Sequence, residues 1–224
     1  MVNGKKVKLS NQRSYRLINS KFPPIALFDD VINADDFETV YAIQSLTNPR
    51  ILNELGDLSL LPKEEIPFGI DGTSYVTAPF THVNPDGSRF SDGSFGVLYL
   101  ADCIETAIKE THYHQEKYFK NIPELHYDTI DMRCLKVEFS ADVVDCTSIT
   151  DIYHSDDYSL PQALGAKMKK DNEQGIQYTS VRNPKTLCWG LFSPIHVTSA
   201  IQTKHFEFVF DGTKIANVRE LVTK

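Results

Sequence analysis

The sequence predicts a mixed α+β fold. Strand-like segments fall in several short groups and not in a regular βαβ alternation. Amphipathic stretches over 104–111 and 158–170 break up those groups. A terminal pair of alternating segments flanks Asp211-Gly212, a dipeptide suited to the left-handed backbone of a tight hairpin turn.

Taken in order, residues 1–13 read as an N-terminal tail, Lys-rich and without an apolar signal core. Ser14–Ile18 reads as a short strand, closed off by Pro23-Pro24, which cannot donate to a ladder. Phe37, Val40, Tyr41 and Ile43 have helical spacing over 35–46, and Pro49 suits the first turn of a second helix. The segment Ser74–Thr77 reads as a strand leading to Pro79, and Asn84–Ser88 as a turn cluster. Phe95–Ala101 is an apolar strand. A helix from near Asp102 follows, with Ile104, Ala107, Ile108 and Thr111 inward. Met132–Phe139 and Asp142–Asp145 read as two strands, Leu160, Ala163, Leu164 and Met168 as the inner face of a helix, and 175–178 and 187–192 as further strands. The closing hairpin, within 196–224, packs on the same domain.

At 224 residues the chain is long enough that folding buries roughly 70% of its extended surface. No Ser/Gly-rich linker or repeat divides it. The formal charge of −7 argues against a nucleic-acid coating protein. No stretch approaches the ~20 consecutive apolar residues of a membrane span. Four cysteines, Cys103, Cys134, Cys146 and Cys188, lack CxxC spacing, so a reducing, cytoplasmic setting is expected.

Chemistry concentrates in 87–115. A Gly-rich turn carries Arg89, the following strand carries Tyr99, and the next helix carries Glu110. A cation, an aromatic ring and a carboxylate thus gather near one strand end. Each also has an ordinary reading: surface cation, satisfied core phenol, solvated helix residue. Glu110 lies three residues after Ala107 and four before His114, at the border of the buried helical face. His112 and His114, two apart, face differently and make a poor metal pair, so no metal site is expected. His82 follows Pro79-Phe80-Thr81 within reach of the same cleft. A second block, 175–184, turns at Ser180 and Arg182. Ser180 lacks the G-x-S-x-G elbow of a nucleophilic serine, and no phosphate-binding glycine loop is present.

The ordered set Tyr15-Arg16, Ala78–His82, Gly87–Gly93, Leu98–Ala101, Glu105-Thr106-Ala107-x-x-Glu110, Gly175–Arg182 and Asp211-Gly212 resembles the RES domain family over about 14–220. The segment 33–80 is longer than in compact members, and Ser91 stands where the family usually has Asn. The resemblance implies a mixed-sheet fold related to ADP-ribosyltransferases of the diphtheria-toxin kind, with 14–195 as the catalytic domain. It implies the toxin of a toxin–antitoxin pair that degrades NAD, as an NAD phosphorylase or glycohydrolase. NAD would be the substrate, inorganic phosphate a co-substrate, and no cofactor would be needed. Arg89, Tyr99, Glu110 and Ser180 become the catalytic candidates, and Arg16, His82 and Arg182 the substrate-binding ones. The partner implied is an antitoxin with a helix-turn-helix domain. Self-association through the last hairpin and transfer of ADP-ribose to a protein target are alternatives, as is an inactive partner-binding module.

Overall fold

A computed structural model describes residues 4–21, 33, 36–37, 39–41 and 55–222. Seven strands, β1 (Lys5–Asn19), β2 (Leu98–Ala101), β3 (Asp128–Asp145), β4 (Gly175–Thr179), β5 (Leu187–Leu191), β6 (Val197–Phe210) and β7 (Ile215–Leu221), run in the order β1-β2-β5-β4-β3-β6-β7. β1 also pairs with β3, so β1, β2, β5, β4 and β3 close into a ring from which the β6–β7 hairpin extends. The β3–β4 contact is parallel, and the other named pairs are antiparallel, which makes the sheet mixed.

Among the described residues, the helices α1 (Thr73–Thr81), α2 (Ile104–Lys120) and α3 (Ser159–Lys170) accompany the strands. Alternate strand residues point to opposite faces. Cys134, Val144 and Cys188 therefore join a core with Ala107, Phe119, Leu164 and Met168 under α2 and α3, while Leu135, Val143 and Trp189 join one with Val76 and Phe80 of α1. Tyr99 is sent to the α2 side by the same alternation, since Leu98 and Leu100 face α1.

Four readings differ from the structure. Residues 5–13 are not a tail but the first half of β1, where Val7 and Leu9 turn toward the α1-side core and Lys6 and Lys8 face solvent. Asn11 takes a left-handed φ of 49° at a bulge, its N–H bound to Ser140 Oγ at 2.9 Å. Residues 74–77 are helical: Thr77 Oγ1 donates to Thr73 O at 2.7 Å, and six of the nine residues of α1 are buried. A helix enclosed on nearly every side has no apolar stripe to read. The two strands expected over 132–139 and 142–145 are one continuous β3, and the strand expected from Phe95 begins at Leu98. The helices expected over 35–46 and from Pro49 lie mostly outside the described residues. Among those described, 36–37 and 39–41 are helical, with Phe37 stacked on Tyr41 at 6.1 Å.

β7 is the outer strand of the sheet. Its first residue is capped, the Ile215 N–H donating to Glu116 Oε2 at 3.0 Å and the Ile215 carbonyl lying 3.3 Å from His112 Nε2. No described helix is long and apolar enough to cross a membrane.

Candidate active site

A cavity of about 490 Å³ opens on the α2 side of the sheet, between β1, β2, the loop 82–97 and α2. Its size falls within the roughly 300–1,000 Å³ of small-molecule sites. Arg16, His82, Arg89, Tyr99 and Glu110 all line it; Ser180 and Arg182 do not.

The loop that presents Arg89 is held from several sides. Gly87 adopts φ 78°, accessible to glycine at little cost, and Ser88 N–H donates to Ser91 O at 2.7 Å to close the turn. Tyr99 pins the loop from β2: its hydroxyl accepts from Phe90 N–H at 2.9 Å and lies 2.8 Å from Ser88 Oγ. Burial pushes the Tyr99 phenol up to about 12, so it remains a neutral hydrogen-bonding group. From α3, Gln162 Nε2 donates to Ser88 O at 3.1 Å and Ser91 O at 3.3 Å. A Cβ at Gly165 would collide with the Phe90 carbonyl, so the close approach of α3 to the loop depends on that glycine.

Arg89 is 8% exposed, its Nη1 donating to the carbonyls of Ile152 and His154 at 3.0 and 3.1 Å. Its guanidinium carbon sits 4.6 Å from the centre of the Tyr158 ring. Arg16, on β1, donates from Nη1 to Tyr99 O at 3.0 Å, while its Nε is buried with no hydrogen-bond partner. Desolvation lowers the Arg16 guanidinium to about 10, yet it stays charged at neutral pH. Among the described residues neither arginine forms an ion pair with a carboxylate. Two poorly solvated cations without anionic partners leave the cavity fit for an anionic ligand.

The carboxylate side is built from α2 and the turn after β4. Ser180, 2% exposed, donates from Oγ to Glu110 Oε1 at 2.6 Å. The amides of Arg182 and Asn183 donate to Ser180 Oγ at 3.2 and 2.9 Å, and the Arg182 amide also reaches Glu110 Oε1 at 3.4 Å. Ser180, expected among the catalytic groups, thus stands behind Glu110 and off the cavity lining. Arg182, expected at the substrate, sends its guanidinium elsewhere. It lies 3.3 Å from the Tyr113 ring centre and donates to Ser155 Oγ at 3.0 Å and Ser155 O at 2.8 Å. It fastens the 152–158 loop, whose carbonyls hold Arg89. His82 is exposed at the mouth, its Nδ1 3.2 Å from Thr81 Oγ1. Among the described residues no group of three His, Cys, Asp or Glu side chains is placed to hold a metal ion.

Tyr158, Gln162, Ser155 and Tyr113 support the site without having stood out in the sequence. Each acts across a long sequence separation, Gln162 across 74 residues, and no local pattern marks such a partner.

Fold and site together define a mixed α+β protein with one cation-lined cavity edged by a fixed carboxylate. The chain belongs to the RES domain family, whose pattern matches residues 66–211. It is 30% identical over 204 residues to the uncharacterized protein y4oC of Sinorhizobium fredii (strain NBRC 101917 / NGR234), covering 90% of this chain and 84% of that protein. It is also similar to a chain in the crystal structure of the M. tuberculosis MbcT–MbcA toxin–antitoxin complex, with a TM-score of 0.47, 12% identity, and coverage of 88% of this chain and 86% of that one.

Proposed function

We propose that this protein consumes NAD as a substrate, cleaving the bond between nicotinamide and ribose, and serves as the toxin of a toxin–antitoxin pair. The observation that carries the reading is that one cavity is lined both by Arg16 and Arg89, which make no ion pair with a carboxylate among the described residues, and by the clasped Glu110. Membership of the RES family supports the substrate, since RES toxins degrade NAD.

Cleavage creates an oxocarbenium-like ribose and releases a neutral pyridine that needs no general acid. The work left to the protein is positional and electrostatic. Arg16 and Arg89 suit the pyrophosphate, whose charge answers theirs and whose paired oxygens fit planar guanidinium donors. Tyr99 is the floor on which the nicotinamide ribose rests, its hydroxyl retained by the Arg89 loop. Glu110, aimed by Ser180, accepts a hydrogen bond from a ribose hydroxyl and stabilises the developing positive charge. Inorganic phosphate attacking the anomeric carbon gives ADP-ribose 1″-phosphate; water gives ADP-ribose. An antitoxin carrying a helix-turn-helix domain is the partner in this reading, and no cofactor takes part.

The test is to incubate the purified, partner-free protein with NAD, with and without phosphate, and to resolve the products chromatographically. Loss of NAD with release of nicotinamide is expected. Intact NAD in both buffers overturns the reading, and ADP-ribose attached to protein would redirect it to a transferase.

A further inference from the structure

When water is the acceptor, its attack on the ribose must shed a proton, whereas phosphate dianion already carries the charge it needs. Few groups lining the cavity can take that proton. Burial raises the Tyr99 and Tyr178 phenols and the Cys188 thiol above their ordinary values, which keeps all three protonated, and the arginines have no lone pair to offer. Glu110 has Oε1 engaged by Ser180 and is assigned to the ribose. His82 also lines the cavity, but from the end of α1 and not from the helix that carries Glu110. His114 lies four residues beyond Glu110 on α2, so the two side chains rise from the same helical face and line the same cavity. His114 is exposed to solvent at the cavity edge, which gives the proton a way out.

We propose that His114 is a catalytic base for the hydrolytic branch of this reaction, a role that rests on the NAD-cleaving reading above. As the ribose–nicotinamide C–N bond breaks, its electron pair leaves with the neutral pyridine. The water oxygen forms the new C–O bond, and its proton passes to the His114 imidazole and then to bulk water. No oxidant or reductant is involved.

The charged groups that act on His114 come from three elements: Glu110 and Lys117 on α2, Arg182 after β4, and Arg89 in the loop after α1. Partial desolvation lowers the imidazole below its ordinary value; Glu110 opposes this, and Arg182, Arg89 and Lys117 add to it. The net direction leaves His114 neutral, and so able to accept a proton, at pH 7.

The test compares H114N and H114Q with the wild type, in phosphate buffer at about pH 8, where the dianion prevails, for the product ratio, and in phosphate-free buffer from about pH 5 to about pH 8, across the range where a histidine titrates, for hydrolysis alone. It measures the ratio of ADP-ribose to ADP-ribose 1″-phosphate, because a general loss of fold or binding divides out of that ratio. Both variants are expected to lower the ratio by about 10²-fold, the lower end of general-base effects. The wild-type decline of hydrolysis toward acid pH should vanish with it. A ratio unchanged in the variants, a retained acidic decline, or a wild type that consumes NAD without forming ADP-ribose overturns the role of His114 alone. A wild type that leaves NAD intact overturns the NAD reading, and this role with it.

Discussion

The two sides of the cavity are built on opposite plans. On the carboxylate side, Glu110 meets the Ser180 hydroxyl at 2.6 Å, and Ser180 is held in turn by the Arg182 and Asn183 amides. On the cation side, Arg16 keeps a buried Nε without a partner and spends its one described hydrogen bond on a backbone carbonyl. A charge is costly to desolvate unless paired, so an unpaired guanidinium beside an open cavity is a cost that a bound anion would relieve. The contrast separates Glu110, fixed by its hydrogen bonds, from Arg16, whose buried Nε leaves bonding capacity for a ligand, while Arg89 is itself held by the Ile152 and His154 carbonyls and the Tyr158 ring.

The sharpest way to break this contrast is to remove the carboxylate. E110A should lower NAD consumption by about 10³-fold, as for loss of a preorganised electrostatic group, and should cost about 1–2 kcal/mol of stability by leaving the buried Ser180 hydroxyl without its acceptor. Turnover at the wild-type rate would remove Glu110 from the chemistry. On the other side, R16M should raise KM for NAD by about tenfold or more, the order of one charge-assisted hydrogen bond. Its melting temperature should hold or rise, because a desolvated charge is lost. A lower melting temperature at constant KM would make Arg16 structural.

S180A removes one charge-assisted bond to Glu110 and should reduce kcat by roughly tenfold with KM little changed, separating positioning from binding. The smallest effect on chemistry is expected for Y99F. It leaves Phe90 N–H without its acceptor and should cost about 1–2 kcal/mol of stability by denaturant titration. Since burial raises the Tyr99 phenol to about 12, the stability tied to its protonated form is complete below about pH 10 and is lost as pH climbs toward about 12. The alkaline decline of stability should therefore be shallower in Y99F.

Local signals in the sequence specify part of this architecture and leave part of it hidden. The helix carrying Glu110 and the Asp211-Gly212 hairpin were readable because a one-sided apolar stripe and a turn dipeptide are local signals. Helix α1 was not, because Thr73, Ser74, Val76, Thr77, Phe80 and Thr81 are all buried and its β-branched residues favour a strand reading. The first half of β1 was misread as tail because only Val7 and Leu9, alternating with Lys6 and Lys8, carry its pattern. In the site, residue types could nominate Arg89, Tyr99, Glu110 and Ser180, but not their division of labour. That Arg182 clamps Ser155 and that Ser180 stands behind Glu110 follow from contacts spanning 27 and 70 residues.

The most direct measurement is nicotinamide release per NAD bound, for the wild type and E110Q, with binding followed by calorimetry in the same buffers. The account predicts that the wild type releases nicotinamide as NAD disappears, while E110Q still binds the dinucleotide through Arg16 and Arg89 and releases almost none. Equal release by both proteins would contradict it.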